Sequence, residues 1–372
     1  MIYFDNAATT YPKPSEVSVE VLDTIMRYGA NPGRSGHKLS IAASEKVYAT
    51  REKVAKLLSY DSPENVVFTQ NATYALNLAI KGMICEKCHV ITSDAEHNSV
   101  LRPLETLKAR YGVEYSTFES DGDIETSIKG LVRSDTKAII STLTSNVTGK
   151  EIPLEILSRI SRQLGLPLIV DASQLIGHKR INLKETPCDV LCAPGHKGLF
   201  GIQGSGFALI SSPLIKNGLA EGGSGTNSMN LSMPEYLPER FEAGTLPTPA
   251  ICSLGAGIDF IENYGIDRIE EKLNMLTRIC SSELRKLHGT EIFGDTGGIV
   301  SFRMKGIAPD ILARYLDDED ICVRAGLHCA PMIHKKLGSE KTGLVRVSFS
   351  VFNEESEIFE FIKALKNFSN KI

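Results

Sequence analysis

Lys197 and Asp171 are the two residues whose types and surroundings point most directly to chemistry. Lys197 follows Asp189-Val-Leu-Cys-Ala-Pro-Gly-His and precedes Gly-Leu-Phe-Gly, while Asp171 ends the apolar run Leu166-Pro-Leu-Ile-Val-Asp. A lysine amine can bond an aldehyde and an acid can hold a ring nitrogen, which is how pyridoxal phosphate (PLP) is mounted in proteins. A single lysine is more often a solvated surface residue, so the prediction depends on the rest of the chain.

Polar residues follow other apolar runs as well. The segments are Gln70-Asn-Ala72-Thr73, Asp94-Ala-Glu-His97-Asn98, Thr144-Ser-Asn146-Val-Thr-Gly, Asp171-Ala-Ser-Gln174 and Gly195-His196-Lys197. Taken singly, each is explained as well by an ordinary helix cap or turn. In open α/β sheets, however, functional groups collect beyond the carboxyl ends of the strands. Five such segments in succession predict one polar site, in which the backbone and hydroxyl at Thr73 could bind a phosphate.

A reactive thiol is the third candidate. Cys329 lies in the run Cys322-Val-Arg324-Ala-Gly-Leu-His328-Cys-Ala-Pro-Met, after a predicted strand and a glycine. We predict an exposed turn, followed by a helix that begins at Ala330 and whose N-terminal dipole favours a thiolate. Arg324 and His328 would add positive potential or hydrogen bonds. The alternative is a small buried core residue, which is the commoner role of a free cysteine.

These residues need a sheet to position them, and the sequence predicts one. Short β-branched runs alternate with amphipathic segments, as in a mostly parallel sheet with crossover helices. The predicted strands are 65–69, 89–93, 113–117, 137–143, 166–171, 190–193 and 206–210, and the helices between them include 40–58, 72–81, 99–110 and 154–164.

The C-terminal part has a different pattern. An irregular stretch opens with Glu221-Gly-Gly-Ser-Gly-Thr-Asn and extends to about Pro249, which is long for a loop without a task. The elements predicted beyond it are helices 248–264 and 267–287, strand 299–304, helix 309–316, strands 321–324 and 344–348, and helix 354–368. The predicted fold is therefore α/β, with a large domain (residues 15–250), a smaller α+β domain (residues 1–14 and 251–372), and the site between them.

Composition excludes several classes of function. The 372 residues carry a net charge of only −4, so nothing favours binding to nucleic acid or to a membrane surface. No apolar run approaches the roughly 18 residues of a membrane helix, and the N-terminus lacks a secretion signal. The eight scattered cysteines suit a reducing cytoplasm. Cys85-Glu-Lys-Cys88, even with Cys188 and Cys192, lacks zinc-ribbon spacing, so we predict no metal site.

The chain resembles the PLP enzymes of fold type I, within them the class V aminotransferase group, and in particular the cysteine desulfurases of the SufS-like type. The similarity extends from Asp5-Asn-Ala-Ala-Thr-Thr to the final helix. The cofactor residues that the resemblance implies are Ala72, Thr73, His97, Asn146, Asp171, Gln174, His196, Lys197 and Thr245. Lys197 would carry PLP and move a proton, Asp171 would pair with the ring nitrogen, Gln174 with the phenolic oxygen, and His97 would stack on the ring as a catalytic residue.

The same resemblance implies contacts to the phosphate and across a dimer. Thr73 and His196 would bind the phosphate. Thr245, at the end of Arg240-Phe-Glu-Ala-Gly-Thr, would reach the phosphate in the other subunit of a homodimer. The resemblance thereby implies a function for the irregular stretch, namely a contact across the dimer.

The resemblance also implies a reaction, the conversion of L-cysteine to L-alanine. Cys329 would take the sulfur as a persulfide, and its compact loop matches the motif Arg-x-Gly-x-His-Cys-Ala. Arg346, with apolar flanks, would clamp the substrate carboxylate, since an arginine fork binds carboxylates in bidentate fashion. Asn146, Arg324 and Ala7 would contact the substrate as well.

Two departures from the family pattern stand out. Pro194 replaces a serine that binds phosphate in many members, and Ser205 or Thr226 would have to compensate. Leu327 replaces a histidine often found two residues before the cysteine. The alternatives left open are a selenocysteine lyase, another class V aminotransferase or lyase, and a non-enzymatic sulfur-relay scaffold. The sulfur-acceptor protein and the pathway, such as iron–sulfur cluster assembly, are not identified by the residues.

Overall fold

The computed structural model describes residues 1–33, 36–226 and 228–369. The strands are β1 (Ile2–Tyr3), β2 (Val66–Thr69), β3 (His89–Ser93), β4 (Glu114–Phe118), β5 (Thr136–Thr142), β6 (Leu168–Asp171), β7 (Val190–Pro194), β8 (Gly206–Ile210), β9 (Thr290–Thr296), β10 (Ile299–Met304), β11 (Ile321–Cys322), β12 (Arg324–Gly326) and β13 (Leu344–Ser348). The α-helices are α1 (Ser15–Arg27), α2 (Lys38–Leu57), α3 (Ala72–Met83), α4 (Asn98–Tyr111), α5 (Ile124–Leu131), α6 (Leu154–Leu164), α7 (Thr248–Tyr264), α8 (Ile266–Arg285), α9 (Pro309–Asp318), α10 (Pro331–Lys336) and α11 (Glu355–Ser369).

A seven-stranded sheet forms the larger part of the molecule, in the order β2-β8-β7-β6-β5-β3-β4. Strands β7, β6, β5, β3 and β4 run parallel, and β8 is antiparallel to both of its neighbours. All seven strands predicted for this sheet are confirmed within a few residues. The predicted α/β class with a mostly parallel sheet is therefore confirmed.

Strands β6, β7 and β8 are buried on both faces, which explains why they are nearly continuous apolar runs, whereas the edge strand β4 is mostly half-buried and polar. Side chains alternate between two hydrophobic clusters, because successive residues of a strand point to opposite faces. Ile139 and Leu191 pack in one cluster, whereas Ile140 and Cys192 pack in the other. The helices of both layers hold the carboxyl ends of the parallel strands at one edge.

The C-terminal elements form a four-stranded antiparallel sheet in the order β12-β13-β10-β9. The strand predicted at 321–324 is wrong as a single element. Ile321–Cys322 pairs in parallel with β1, whereas Arg324–Gly326 pairs with β13, so the chain changes sheets at Val323. The division into domains at residues 14 and 250 stays a prediction.

The irregular stretch after Glu221 is confirmed for the residues the structure describes, and Asn227 lies outside them. From Glu221 to Pro247 the described residues include no helix or strand, and α7 begins at Thr248. Elements that the sequence interpretation did not include are α1, α5, β1 and β9.

Candidate active site

A cavity of about 300 Å³ lies at the carboxyl ends of the parallel strands, where the sequence predicted a site. Eight of the predicted cofactor residues line it: Ala72, Thr73, His97, Asn146, Asp171, Gln174, His196 and Lys197. They come from the first turn of α3, the N-cap of α4, and the segments after β5, β6 and β7. The topology therefore brings together residues up to 125 positions apart in the chain (from Ala72 to Lys197).

Asp171 is fixed by its neighbour Ser173. The carboxylate is 3% exposed and its Oδ1 accepts hydrogen bonds from the Ser173 backbone N–H, at 2.9 Å, and from the Ser173 hydroxyl. Hydrogen bonds to a buried carboxylate stabilise its charged form. Ser173 also lines the cavity and was missed from the sequence, although an Asp-x-Ser pattern at a strand end favours such a local bond.

His97 belongs to a chain of hydrogen bonds that includes another missed residue, Ser99. The Nδ1 atom of His97 accepts from the Ser99 backbone N–H at 3.0 Å, so in the neutral ring the proton is on Nε2. The Ser99 hydroxyl lies 2.9 Å from the same Nδ1 and 2.8 Å from the hydroxyl of Thr73. Burial lowers the pKa of His97 to about 4, although Asp171 opposes that shift. The imidazole is therefore neutral near pH 7.

Lys197 lies on the cavity wall, and burial lowers its pKa to about 8 despite the opposing effect of Asp171. A larger fraction of neutral amine is present at neutral pH than for an ordinary lysine, as a nucleophile or base requires. The preceding peptide is held firmly, since the carbonyl of His196 accepts from Lys13 Nζ at 2.7 Å and from the Thr9 hydroxyl at 3.0 Å. The first residues of the chain thereby anchor the lysine loop.

Glu96 is a buried acid beside the cavity that sequence reasoning did not single out. Its side chain is 0% exposed, and Oε1 accepts from the Thr142 backbone N–H at 2.8 Å and from the Ser93 hydroxyl. Oε2 has no hydrogen-bond partner among the described residues. Burial raises the pKa of Glu96 to about 8, so the group is mostly neutral at pH 7.

Arg346 is buried at 2% exposure, which agrees with the interpretation from its apolar flanks. Its guanidinium donates to the Asp5 carboxylate at 2.8 Å and to the Asn146 carbonyl at 3.0 Å. Its Nε has no partner among the described residues. Burial lowers the pKa of Arg346, and Asp5 opposes this shift. The fork is thus preorganised beside Asn146, a residue of the cavity wall.

Cys329 is exposed, as predicted, and precedes the six-residue helix α10. Its carbonyl accepts from the Asn98 backbone N–H at 2.7 Å, and the carbonyl of His328 accepts from Asn146 Nδ2 at 2.7 Å. Asn146 is itself on the cavity wall and Asn98 follows the wall residue His97, so the cysteine turn is tied to the wall. Burial lowers the pKa of His328 to about 3, so its ring is neutral. Of the two expected roles, positive potential or hydrogen bonding, the structure favours hydrogen bonding, since Nε2 lies 3.3 Å from the Arg324 carbonyl oxygen.

Some predicted residues do not line the cavity: Ala7, Arg324, Thr245, Arg346 and Cys329. Ala7 adjoins it, because its carbonyl accepts from Gln174 Nε2 at 3.0 Å. Thr245 is exposed.

Pro194 lies on the wall, whereas Ser205 and Thr226, considered as its replacements, do not. Ser205 instead donates to the carbonyl of Ile202 at 2.8 Å. Besides Thr73, the wall residues with hydroxyl groups are Ser99, Thr142, Thr144 and Ser173.

Among residues 1–33, 36–226 and 228–369, no group of three or more His, Cys, Asp or Glu side chains could hold a metal ion. Within the same residues, none of the helices combines the length and the apolar character needed to cross a membrane.

Comparison with known proteins connects this geometry to a family. The family model of the class-V aminotransferases matches residues 2–361. Two relatives named "Probable cysteine desulfurase" are each 33% identical to the chain, one from Pyrococcus abyssi (98% of this chain, 94% of the relative) and one from Methanothermobacter thermautotrophicus (96% and 92%). The solved apo structure of cysteine desulfurase from Thermococcus onnurineus is 31% identical, with a TM-score of 0.90 over 100% of this chain and 95% of that one. The chain therefore belongs to the class-V aminotransferase family and, within it, to the cysteine desulfurase group.

Proposed function

We propose that this protein is a PLP-dependent cysteine desulfurase of the compact-loop, SufS-like type, which converts L-cysteine to L-alanine and holds the sulfur as a persulfide on Cys329. The observation that carries the proposal is the connection between two chemical centres. A cavity with Lys197 and Asp171 on its wall is linked by a 2.7 Å hydrogen bond, from Asn98 to the Cys329 carbonyl, to an exposed thiol. An aminotransferase would need no thiol there.

The cavity residues fit PLP. Two buried wall atoms, His196 Nδ1 and Thr144 Oγ1, have no hydrogen-bond partner among the described residues, as suits a wall that contacts a polar ligand. Ala72 and Thr73 open α3, where backbone N–H groups favour a phosphate. His196 and Ser99 add polar atoms on the same wall.

Four of the wall residues would act directly on the bound cofactor or on the substrate. PLP, when bound, supplies an electron sink for the carbon next to the substrate amino group. Asp171, held through Oδ1, would pair with the ring nitrogen, Gln174 would donate to the phenolic oxygen, and neutral His97 would stack on the ring. Lys197 would hold the cofactor and, as a free amine, would take the α-proton of the substrate at Nζ.

The thiolate of Cys329 attacks the γ-sulfur of L-cysteine and forms the S–S bond of Cys329-S-SH. The carbon–sulfur bond of the substrate breaks, its electron pair stays on Cβ, and a proton completes the methyl group of alanine. Arg346 clamps the carboxylate while Asn146, Arg324 and Ala7 complete the substrate contacts.

The proposal includes a cytoplasmic homodimer. Thr245 is exposed, away from the cavity of its own chain, and would contact the phosphate in the partner subunit. Exposed apolar residues on α1, including Val19, Leu22 and Met26, support a protein contact on that side. The persulfide would pass to an acceptor protein, with iron–sulfur cluster assembly as the proposed use, and the scattered free cysteines suit a reducing compartment.

Mass spectrometry after exposure of the PLP-loaded protein to L-cysteine tests the proposal. We expect an adduct of one sulfur atom on Cys329, alanine in solution, and neither adduct nor rapid turnover in Cys329→Ser. Lys197→Ala should lose the cofactor absorbance. Turnover of L-cysteine without the adduct would refute the assignment, and faster turnover of L-selenocysteine alone would favour a selenocysteine lyase.

A further inference from the structure

The backbone at Cys329 adopts an unfavourable conformation. Residues His328 and Cys329 have φ angles of 49° and 56°, in the left-handed region that side chains with a Cβ rarely adopt. Five non-glycine residues have positive φ in the described part of the chain, and only these two are adjacent. Such a turn persists only where its surroundings enforce it.

The side chain of His328 supplies part of that enforcement, because it points inward while the thiol next to it is exposed. His328 is 4% exposed, and His334 and Ser339 are fully buried. Atom Nε2 of His328 lies 3.3 Å from the carbonyl oxygen of Arg324, and Nδ1 lies 3.4 Å from Nε2 of His334. The two rings are nearly parallel, with an interplanar angle of 17° and centroids 5.6 Å apart.

The chain of contacts ends at Ser339, whose hydroxyl lies 2.8 Å from Nδ1 of His334. The direction of the hydrogen bonds follows from the carbonyl of Arg324, which can only accept. His328 therefore carries its proton on Nε2 and accepts at Nδ1, so His334 must donate from Nε2 and accept the Ser339 hydroxyl at Nδ1. One proton per ring is required, and burial favours it by lowering the pKa of both histidines.

We infer that His334 is a positioning residue for sulfur transfer: through His328, it holds the His328–Cys329 turn in its left-handed conformation and fixes the thiol beside the His97 segment. The inference rests on the proposed function, because a fixed thiol matters only if Cys329 attacks a bound substrate. It assigns His334 no contact with substrate or cofactor. Its action is confined to the step that Cys329 performs.

Variants of the donor separate this role from general stability. His334→Leu fills the buried position with an apolar side chain and removes the hydrogen-bond donor. His334→Gln restores an N–H near the position of Nε2. The matched control is His288→Leu, at an exposed histidine elsewhere. Ser339→Ala removes the outer end of the chain and leaves both rings, so it serves if His334→Leu does not fold.

Two readouts on the PLP-loaded proteins separate the steps. Exchange of the α-hydrogen of L-cysteine with solvent deuterium reports on Lys197, and alanine formation with the sulfur adduct reports on Cys329. For His334→Leu we expect alanine formation to fall about tenfold, which corresponds to about 1.4 kcal/mol, the size of one lost hydrogen bond, while exchange stays within about twofold. His334→Gln should recover most of the loss, His288→Leu should match the wild type, and Ser339→Ala should show a smaller loss in the same step.

The rate at which iodoacetamide alkylates Cys329 gives a readout independent of turnover, and it should differ between the wild type and His334→Leu. Unchanged alanine formation in His334→Leu and Ser339→Ala, or an equal fall in exchange and alanine formation, would overturn the inference. A wild type with neither exchange nor alanine formation refutes the proposed function instead. If, in addition, iodoacetamide alkylates Cys329 at equal rates in the wild type and in His334→Leu, the inference is overturned as well.

Discussion

The ion pair between Arg51 and Glu242 should be one of the most sensitive points of the structure, although it touches no reacting atom. Arg51 lies on α2, and Glu242 lies in the loop that leads to Thr245. The two side chains are only 5% and 6% exposed. Glu242 Oε1 also accepts from the Phe68 backbone N–H at 2.6 Å, so this one carboxylate fastens the loop to β2 and to α2.

The change to test is Glu242→Gln, which keeps the shape and removes the charge. Breaking one partner of a buried pair costs about 3–5 kcal/mol, because the other charge stays buried without a counterion. Arg51 retains two supports, a hydrogen bond to the Val66 carbonyl and a position 4.5 Å above the Phe68 ring. We therefore expect a loss near the lower limit, about 3 kcal/mol in the free energy of unfolding.

Urea denaturation of the wild type, Glu242→Gln and the control Glu235→Gln, an exposed carboxylate in the same loop, measures this loss. Burial raises the pKa of Glu242 even though Arg51 opposes the shift, so desolvation outweighs attraction in the intact pair. The double variant Arg51→Met with Glu242→Gln should consequently lose less stability than Glu242→Gln alone. A loss below about 1 kcal/mol in the single variant, as for an exposed pair, would refute the reasoning.

Three further predictions concern the cavity. Glu96→Gln should gain stability relative to the wild type as pH rises from about 4.5 to about 8, by at most about 1.4 kcal/mol per pH unit. The reason is the raised pKa of Glu96: its stabilisation of the folded wild type is complete at low pH and is lost as pH rises through 8. Melting curves of both proteins across that range measure it, and a constant difference would contradict it. The wild type should lose stability as pH falls below 6.5, because burial lowers the pKa of His97 and His196 to about 4 and the two imidazoles are protonated first in the unfolded chain. A melting temperature independent of pH between 6.5 and 4.5 would argue against this. Ser173→Ala should cost about 1.5–3 kcal/mol in the free energy of unfolding, measured by denaturation, through the lost hydrogen bond from the hydroxyl to the Asp171 carboxylate. On dilution, the variant should also lose its cofactor absorbance sooner than the wild type. An unchanged protein would show that the backbone N–H of Ser173 suffices to hold the carboxylate.

The sequence allowed the location of the site to be predicted because parallel strands end at one edge. Residues as far apart as Thr73 and Lys197 could be grouped by that rule alone. Helix α1 was missed for a physical reason: Val19, Leu22 and Met26 lie exposed on it, so its apolar residues do not mark a single buried stripe. Strand β9 is only half-buried and includes Gly294 and Asp295, which strands disfavour.

Partners that are distant in sequence could not be predicted. The apolar flanks of Arg346 indicated burial, but its counterion Asp5 lies 341 residues away in the chain. His328 was expected to carry charge or hydrogen bonds, and only the fold decides between them by placing His334 beside it in a buried position. Ser99 and Glu96 have the same types as ordinary cap residues, so only their positions in the fold identify them.

The attachment of the N-terminal segment has a consequence for the order in which the protein is made. Ile2 and Tyr3 pair with Ile321 and Cys322, and the backbone N–H of Thr10 donates to the His196 carbonyl at 3.2 Å. At about 5–20 residues per second, a ribosome needs roughly 15–60 s to add the residues that separate β1 from β11. Strand β1 therefore stays unpaired until β11, near the end of the chain, has been synthesised, and closing so large a loop is slow. Because Cys329 also lies near the end of the chain, the proposed sulfur transfer to its thiol would require almost the whole chain to be synthesised.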